Sequence, residues 1–155
     1  MTPGRPTPSL PAYLRSGSVV LVMTGGTVGT AARAAIEGAF PHTGQAFPWA
    51  TFSVNVSGAL LLGLLLEAVA LHRVRPASAR RLRLALGTGL LGGYTTYSTF
   101  VLESVLLGSG DGLGAALIYD SATLVSGFLA ALVAMTLYRR RQSARGVVAG
   151  GGPDA

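Results

Sequence analysis

Gly87-Thr88-Gly89-Leu90-Leu91-Gly92-Gly93-Tyr94-Thr95-Thr96-Tyr97-Ser98-Thr99-Phe100 lies inside a mainly apolar run from Leu84 to Leu107. About 20 apolar residues suffice to cross the ~30 Å hydrocarbon core of a bilayer, so the run is long enough to be a membrane span. Its middle is nevertheless a poor helix. Each glycine costs about 1 kcal/mol relative to alanine, and β-branched threonine is also a weak helix former. The pattern predicts a break near Gly92 to Thr96. A break at membrane depth releases backbone carbonyls that protein, water or an ion must satisfy, and unwound carbonyls suit a hard cation such as Na⁺.

Outward from this segment, three further apolar stretches of spanning length appear, at about 18–40, 49–71 and 112–138. The whole chain has 155 residues, half of them hydrophobic and 12% charged, against roughly a quarter charged in soluble domains. The connections 41–48, 72–83 and 108–111 are short, so neighbouring spans run antiparallel. The expected organisation is an all-α, four-helix membrane domain over 18–138. A proline-rich, disordered tail at 1–17 precedes it, and a basic, then glycine-rich tail at 139–155 follows it. The net charge of +6 comes entirely from arginine. No basic run is interleaved with aromatics as nucleic-acid binding needs, so no nucleic-acid partner is expected. The absence of cysteine excludes disulfides, thiolate metal sites and thiol nucleophiles. His42 and His72 have no acidic partner at ligand spacing, and no Ser/His/Asp arrangement is evident, so an enzyme is not expected. Arg5 and Arg15 ahead of a short apolar stretch resemble a secretory signal, but glycines interrupt that stretch and an uncleaved first span is the better reading.

Polar residues inside spans are site candidates by default, although many only tie helices together. In the first span, Gly25 and Gly29 form a small-xxx-small packing face; no preceding strand or Gly-Lys-Ser supports a phosphate loop. Arg33 and Glu37 can pair four residues apart near its end. In the second span, Thr51, Asn55 and Gly58 share a helical face, and Asn55 must find partners either across an interface or in a wet path. Glu67 is expected to reach the headgroups. Beyond the predicted break, Tyr97 and Phe100 share a face with Glu103 one turn later; such a pair is ordinarily core packing. Tyr119, Thr123 and Ser126 line one stripe of the fourth span, at whose start Asp120 is expected near the interface.

Taken together, Gly25-Gly26-x-x-Gly29 with Arg33, the Thr51-to-Asn55 segment followed by Gly58, and the string Gly92 to Phe100 with Glu103 resemble the CrcB/Fluc fluoride channels. The resemblance runs through all four spans in order. It implies an antiparallel, dual-topology dimer of four-helix subunits with fluoride pathways along the subunit interface. It also implies a structural, non-permeating Na⁺ held by backbone carbonyls at the break, on Gly92 and Thr95. The pore asparagine maps to Asn55, and the aromatics whose ring edges face fluoride map to Tyr97 and Phe100. Ring edges carry the positive side of the aromatic quadrupole and can meet an anion without trapping it. Ser98, Thr99, Tyr119 and Thr123 are the implied hydroxyl donors. Tyr97 stands where the family string usually has phenylalanine, and Gly127 and Ala131 offer no hydroxyl further along. A large residue at Gly92 is expected to clash at a close-packed centre.

The function so implied is passive, selective fluoride export across the cell membrane, with membrane lipid as the other partner. The alternative is a small proton-coupled multidrug exporter, which needs a carboxylate deep in its first helix. Eleven of the twelve arginines fall on the side that holds both termini and the 72–83 loop, Arg33 being the exception. Arginine bias across short loops sets orientation, so both termini are expected in the cytoplasm. The antiparallel partner is then expected to be a paralogous subunit of opposite bias.

Overall fold

The computed structural model describes residues 16–41, 46–71, 75–109 and 111–150. Helix α1 (Ser16–Ala39) and helix α2 (Trp49–Leu71) come first. A short helix α3 (Pro76–Leu82) then runs directly into a nine-residue π-helix, Arg83–Leu91, and a single turn, α4 (Gly92–Tyr94). Helix α5 (Ser98–Leu107) and a long helix α6 (Leu113–Gly150) complete the described chain. Among the described residues every regular element is helical. Three helices are individually long and apolar enough to cross a membrane: Ser16–Ala39, Trp49–Leu71 and Leu113–Ala144. The segment from Pro76 to Leu107 consists of shorter pieces.

Two boundaries differ from the sequence reading, and both differences have a local cause. The third helical segment starts at Pro76, ahead of Leu84, because proline sits at its first position, where its fixed φ suits helix and its missing N–H is not needed. This adds a turn of basic helix, with Arg80 and Arg81, outside the apolar run. Helix α6 continues past Tyr138 to Gly150; the basic stretch 139–144 holds good helix formers and no proline to stop it. The expected N-terminal tail lies outside the described residues up to position 15, as do His42, His72 and the last five residues.

Small residues set the packing. α1 lies against the π-helix and α4, while α2 and α5 lie against α6. A Cβ on Gly29 would overlap the Leu90 carbonyl and come within 2.8 Å of the Tyr94 nitrogen. One on Gly25 would overlap the Ala85 carbonyl, and one on Gly89 would stand 2.9 Å from the Val22 carbonyl. Backbone therefore touches backbone between α1 and the third segment, which is how helices associate when lipid offers no hydrophobic drive. Gly63 plays the same part between α2 and Ala131 of α6.

Aromatic side chains close the end of the molecule around α5. Phe100, Leu107, Ala116 and Tyr119 form its buried core, with Phe47 and Phe52 packed against it. The Phe47 and Tyr119 rings meet edge-on at 5.4 Å and 86°. At the opposite end, Glu67 is buried, and Arg139 Nε donates to its Oε1 at 2.6 Å. Glu67 therefore does not reach the headgroups as expected: it ties α2 to α6. Large apolar side chains of α6, including Leu124, Phe128 and Leu132, remain exposed on the single chain.

Candidate functional site: a groove at the interrupted third segment

Helical geometry stops at Thr95, whose backbone is extended at φ −74° and ψ 157°. In a continuous helix the Thr96 N–H would bond the Gly92 carbonyl. It instead donates to Asn55 Oδ1 at 2.9 Å, while Asn55 Nδ2 donates to the Thr96 carbonyl at 3.0 Å. One carboxamide of α2 thus satisfies both backbone groups of Thr96, and the Gly92 carbonyl loses its helical partner. The second Nδ2 hydrogen of Asn55 is additional donor capacity. The Gly93 carbonyl is met from α1, by Arg33 Nε and Thr30 Oγ1, both at 3.4 Å.

Arg33 therefore does more than pair along its own helix. It also pairs with Glu37 at 3.2 Å, so one side chain links the acid of α1 to the interruption.

Restarting the helix falls to Thr96. Its hydroxyl accepts from the Thr99 N–H at 3.2 Å, the spacing of an N-cap that satisfies an orphan donor of the new helix. Thr99 Oγ1 accepts from Thr96 Oγ1 at 3.2 Å, and Ser98 Oγ lies 3.3 Å from it. Thr96 is the hub that the sequence reading passed over. The threonine three residues before Thr99 was the available signal.

A groove of about 360 Å³ opens beside this interruption, and Asn55, Thr96, Tyr97, Phe100 and Thr123 are among the residues that line it. A second, more apolar groove of about 290 Å³ lies on the other side of Thr95, past Gly87 and Gly92; Asn55 and Thr95 line both. Ser98, Thr99 and Tyr119 line neither. The predicted residues thus separate into groups. Asn55, Tyr97, Phe100 and Thr123 converge on one groove; Ser98 and Thr99 belong to the cap of α5.

Tyr97 and Phe100 are neighbours, with ring centroids 6.2 Å apart, yet differ sharply in exposure: 79% for Tyr97 against 9% for Phe100. Phe100 is both groove wall and core, stacking toward Tyr119 at 5.3 Å. Thr123 donates its hydroxyl hydrogen to the Tyr119 carbonyl at 2.8 Å, so it presents lone pairs to its surroundings in this arrangement.

Tyr119 is fully buried and donates to Glu103 Oε2 at 2.8 Å, while Thr51 donates to Oε1 at 2.8 Å. Glu103, one turn beyond Phe100, thereby joins α2, α5 and α6 through a single buried carboxylate. Asp120 accepts from Ser104 at 2.9 Å through Oδ2, and its buried Oδ1 has no protein partner. Asp120 is thus partly buried between α5 and α6. Both acids were visible in the sequence, but periodicity alone could not pair them with hydroxyls on other helices.

Among the described residues no group of three His, Cys, Asp or Glu could hold a metal. Gly92 and Thr95 suit such a role in part. The Gly92 carbonyl is released, and a Cβ there would meet only the Gly87 carbonyl, at 3.8 Å. The close packing expected around Gly92 is therefore not found within one chain. Thr95 is held inward, its hydroxyl donating to the Leu91 carbonyl at 2.9 Å and its methyl filling the space over Gly58.

These features define a multi-pass membrane protein, helical in its described regular elements, with a groove at an interrupted segment whose mainly apolar wall carries a few polar groups. A family model described as "CrcB-like protein, Camphor Resistance (CrcB)" matches residues 20–135. "Fluoride-specific ion channel FluC 2" of Leifsonia xyli is 40% identical over 141 residues, covering 91% of this chain and 97% of that protein. "Fluoride-specific ion channel FluC" of Chlorobium luteolum is 41% identical over 114 residues, 73% of this chain and 85% of that protein. "Fluoride-specific ion channel FluC 1" of Streptomyces coelicolor is 40% identical over 129 residues, 81% and 82% respectively. The chain belongs to the CrcB family.

Proposed function

We propose that this chain is a subunit of a fluoride-selective channel that exports fluoride passively through the groove at the interruption. The observation that carries the reading is the convergence of Asn55, Tyr97, Phe100 and Thr123 on one groove beside a helix interruption, in a chain whose relatives are named as fluoride channels. An anion pathway must bind strongly enough to admit the ion and weakly enough to release it. Amide hydrogens and ring edges meet that demand because they carry partial positive charge only. Fluoride enters cells as the neutral weak acid, dissociates and is trapped; the membrane potential then drives the anion out, at about 2.3 kcal/mol per charge per 100 mV. The multidrug-exporter reading gains no support, since the one carboxylate of α1, Glu37, is held by Arg33.

The groove is open along one side, and Tyr97, Leu124 and Phe128 are exposed around it. A second subunit packed antiparallel closes it, with each chain crossing the membrane four times. Gly92 and Thr95 are the residues that would hold a structural Na⁺, through backbone carbonyls; the ion would supply the positive charge that steadies the interrupted segment. Gly92→Leu separates this role from folding: the protomer should insert normally, because the chain itself leaves room, while dimer and flux are lost. Normal dimers of that variant, seen by crosslinking, would remove Gly92 from the interface.

The aromatic role yields a contrast between neighbours. Phe100→Leu keeps apolar bulk and removes the quadrupole, so flux should fall by up to about tenfold, the equivalent of the ~1.5 kcal/mol upper value for an aromatic pair. Tyr97→Phe should leave flux within about twofold, as its exposed hydroxyl has no part in the buried network. Normal conduction by Phe100→Leu, measured by efflux from liposomes that also hold the partner subunit, would make that ring core packing alone.

The described arginines Arg75, Arg80, Arg81, Arg83, Arg139, Arg140 and Arg141 all belong to one end of the bundle, and Arg33 stands apart. Such bias fixes orientation, so we place both termini in the cytoplasm and assign the antiparallel partner to a paralogous subunit of reversed bias. Reporter fusions at the C-terminus should show a single cytoplasmic population. Equal populations on both sides would restore a dual-topology homodimer.

A further inference from the structure

The arginine-rich end holds a cavity that the channel reading does not use. It measures about 450 Å³ and lies between the first turns of α1 (Gly17, Ser18, Leu21) and the α3 to π-helix junction (Ala77, Arg80, Arg81, Leu84). Its floor is polar and fixed: Arg80 Nη2 donates to Ser18 Oγ at 2.6 Å, and Ser18 is buried. Arg81 stands exposed at the rim. Leu21, Ala77 and Leu84 make the remaining wall apolar. None of the described residues that line the cavity is a carboxylate, and the described acid at this end, Glu67, is held by Arg139.

Two guanidinium groups, a serine and an apolar wall in one cavity select an anion attached to something apolar. Guanidinium groups favour phosphate because their donors match its oxygens in pairs. A volume of this size accommodates a small organic headgroup. Basic pockets between membrane helices on the cytoplasmic side face the leaflet where anionic headgroups collect, and this end is the one the arginine bias places there. The α3 turn that builds the cavity exists because the helix starts at Pro76, outside the apolar run; it serves no evident purpose in the groove.

We infer that the cavity formed by Ser18, Arg80 and Arg81 binds a phosphate group, that of an anionic phospholipid seated at the cytoplasmic end of α1. The lipid thereby tethers α3 and fixes the depth of the π-helix. Native mass spectrometry of the purified full chain tests this with phosphatidylglycerol, phosphatidylcholine and inorganic phosphate as probes. Phosphatidylglycerol should be retained at least about fivefold better than phosphatidylcholine, and Arg81→Gln should lower its retention by about fivefold, the effect of one arginine near an anionic headgroup. Gly17→Leu should also lower it: Gly17 lines the cavity, and a Cβ there meets nothing within 4 Å, so the chain folds with added bulk at the cavity wall. Arg140→Gln, at the same end but outside the cavity, should retain lipid normally. An equal loss in Arg140→Gln would overturn the site in favour of a diffuse basic surface, as would equal retention of the two lipids. Inorganic phosphate that displaces the lipid at equal concentration would overturn the lipid assignment and give the site to the free ion. None of these readouts depends on fluoride flux, so their failure leaves the channel reading intact.

Discussion

Asn55→Asp eliminates fluoride flux, with an expected loss of about a thousandfold, while the chain still inserts and folds. Two like charges about 4 Å apart repel by about 4 kcal/mol at an effective dielectric constant near 20, which is close to three powers of ten. The carboxylate also lacks the donor that Asn55 Nδ2 gives the Thr96 carbonyl. Folding survives because the oxygen that accepts from the Thr96 N–H remains. Fluoride efflux from liposomes that hold the variant together with the partner subunit, and a gel-filtration profile of the same preparation, check both halves. Unchanged efflux would reduce Asn55 to a clamp on the interruption.

Gly29→Leu has an equally large effect by another route. Its Cβ overlaps the Leu90 carbonyl, and the Tyr94 nitrogen lies 2.8 Å away; neither can yield without moving the backbone. Overpacking in a well-packed interior costs about 1–3 kcal/mol when side chains can adjust, and here backbone must. No monodisperse protein should be recovered from detergent. Gly26→Ala, three residues earlier, should behave as the parent, because its Cβ meets only the Gly89 carbonyl, at 3.8 Å. Normal recovery of Gly29→Leu would show that α1 does not pack on the third segment in this register.

Much of the fold is legible in the sequence because lipid imposes a crude rule, and long apolar stretches such as Trp49 to Leu71 obey it directly. The role of Gly25 and Gly29 is legible for the same reason: a small-xxx-small spacing on a lipid-embedded helix has few other uses. Partnerships between distant segments are not. Nothing local ties Glu67 to Arg139, 72 residues on, or Thr51 to Glu103, 52 residues on; burial of an acid in lipid demands partners without naming them. The pair of hydrogen bonds between Asn55 and Thr96 lies between these cases. A carboxamide in a span and a glycine–threonine interruption in another each call for a partner, but only folding shows that each answers the other. Local chemistry also misleads where a neighbouring residue decides, as at Pro76, which starts a helix well before the apolar run begins.

Anion selectivity in liposomes decides whether the groove is a fluoride pathway. Efflux of fluoride and of chloride is to be measured for this chain reconstituted alone and together with a related subunit whose arginines cluster at the opposite end. Rapid fluoride efflux and no measurable chloride efflux are expected from the paired preparation, with little flux of either ion from the chain alone. Equal fluoride and chloride flux, or no fluoride flux from either preparation, would contradict a fluoride-selective pathway at the groove of Asn55 and Phe100.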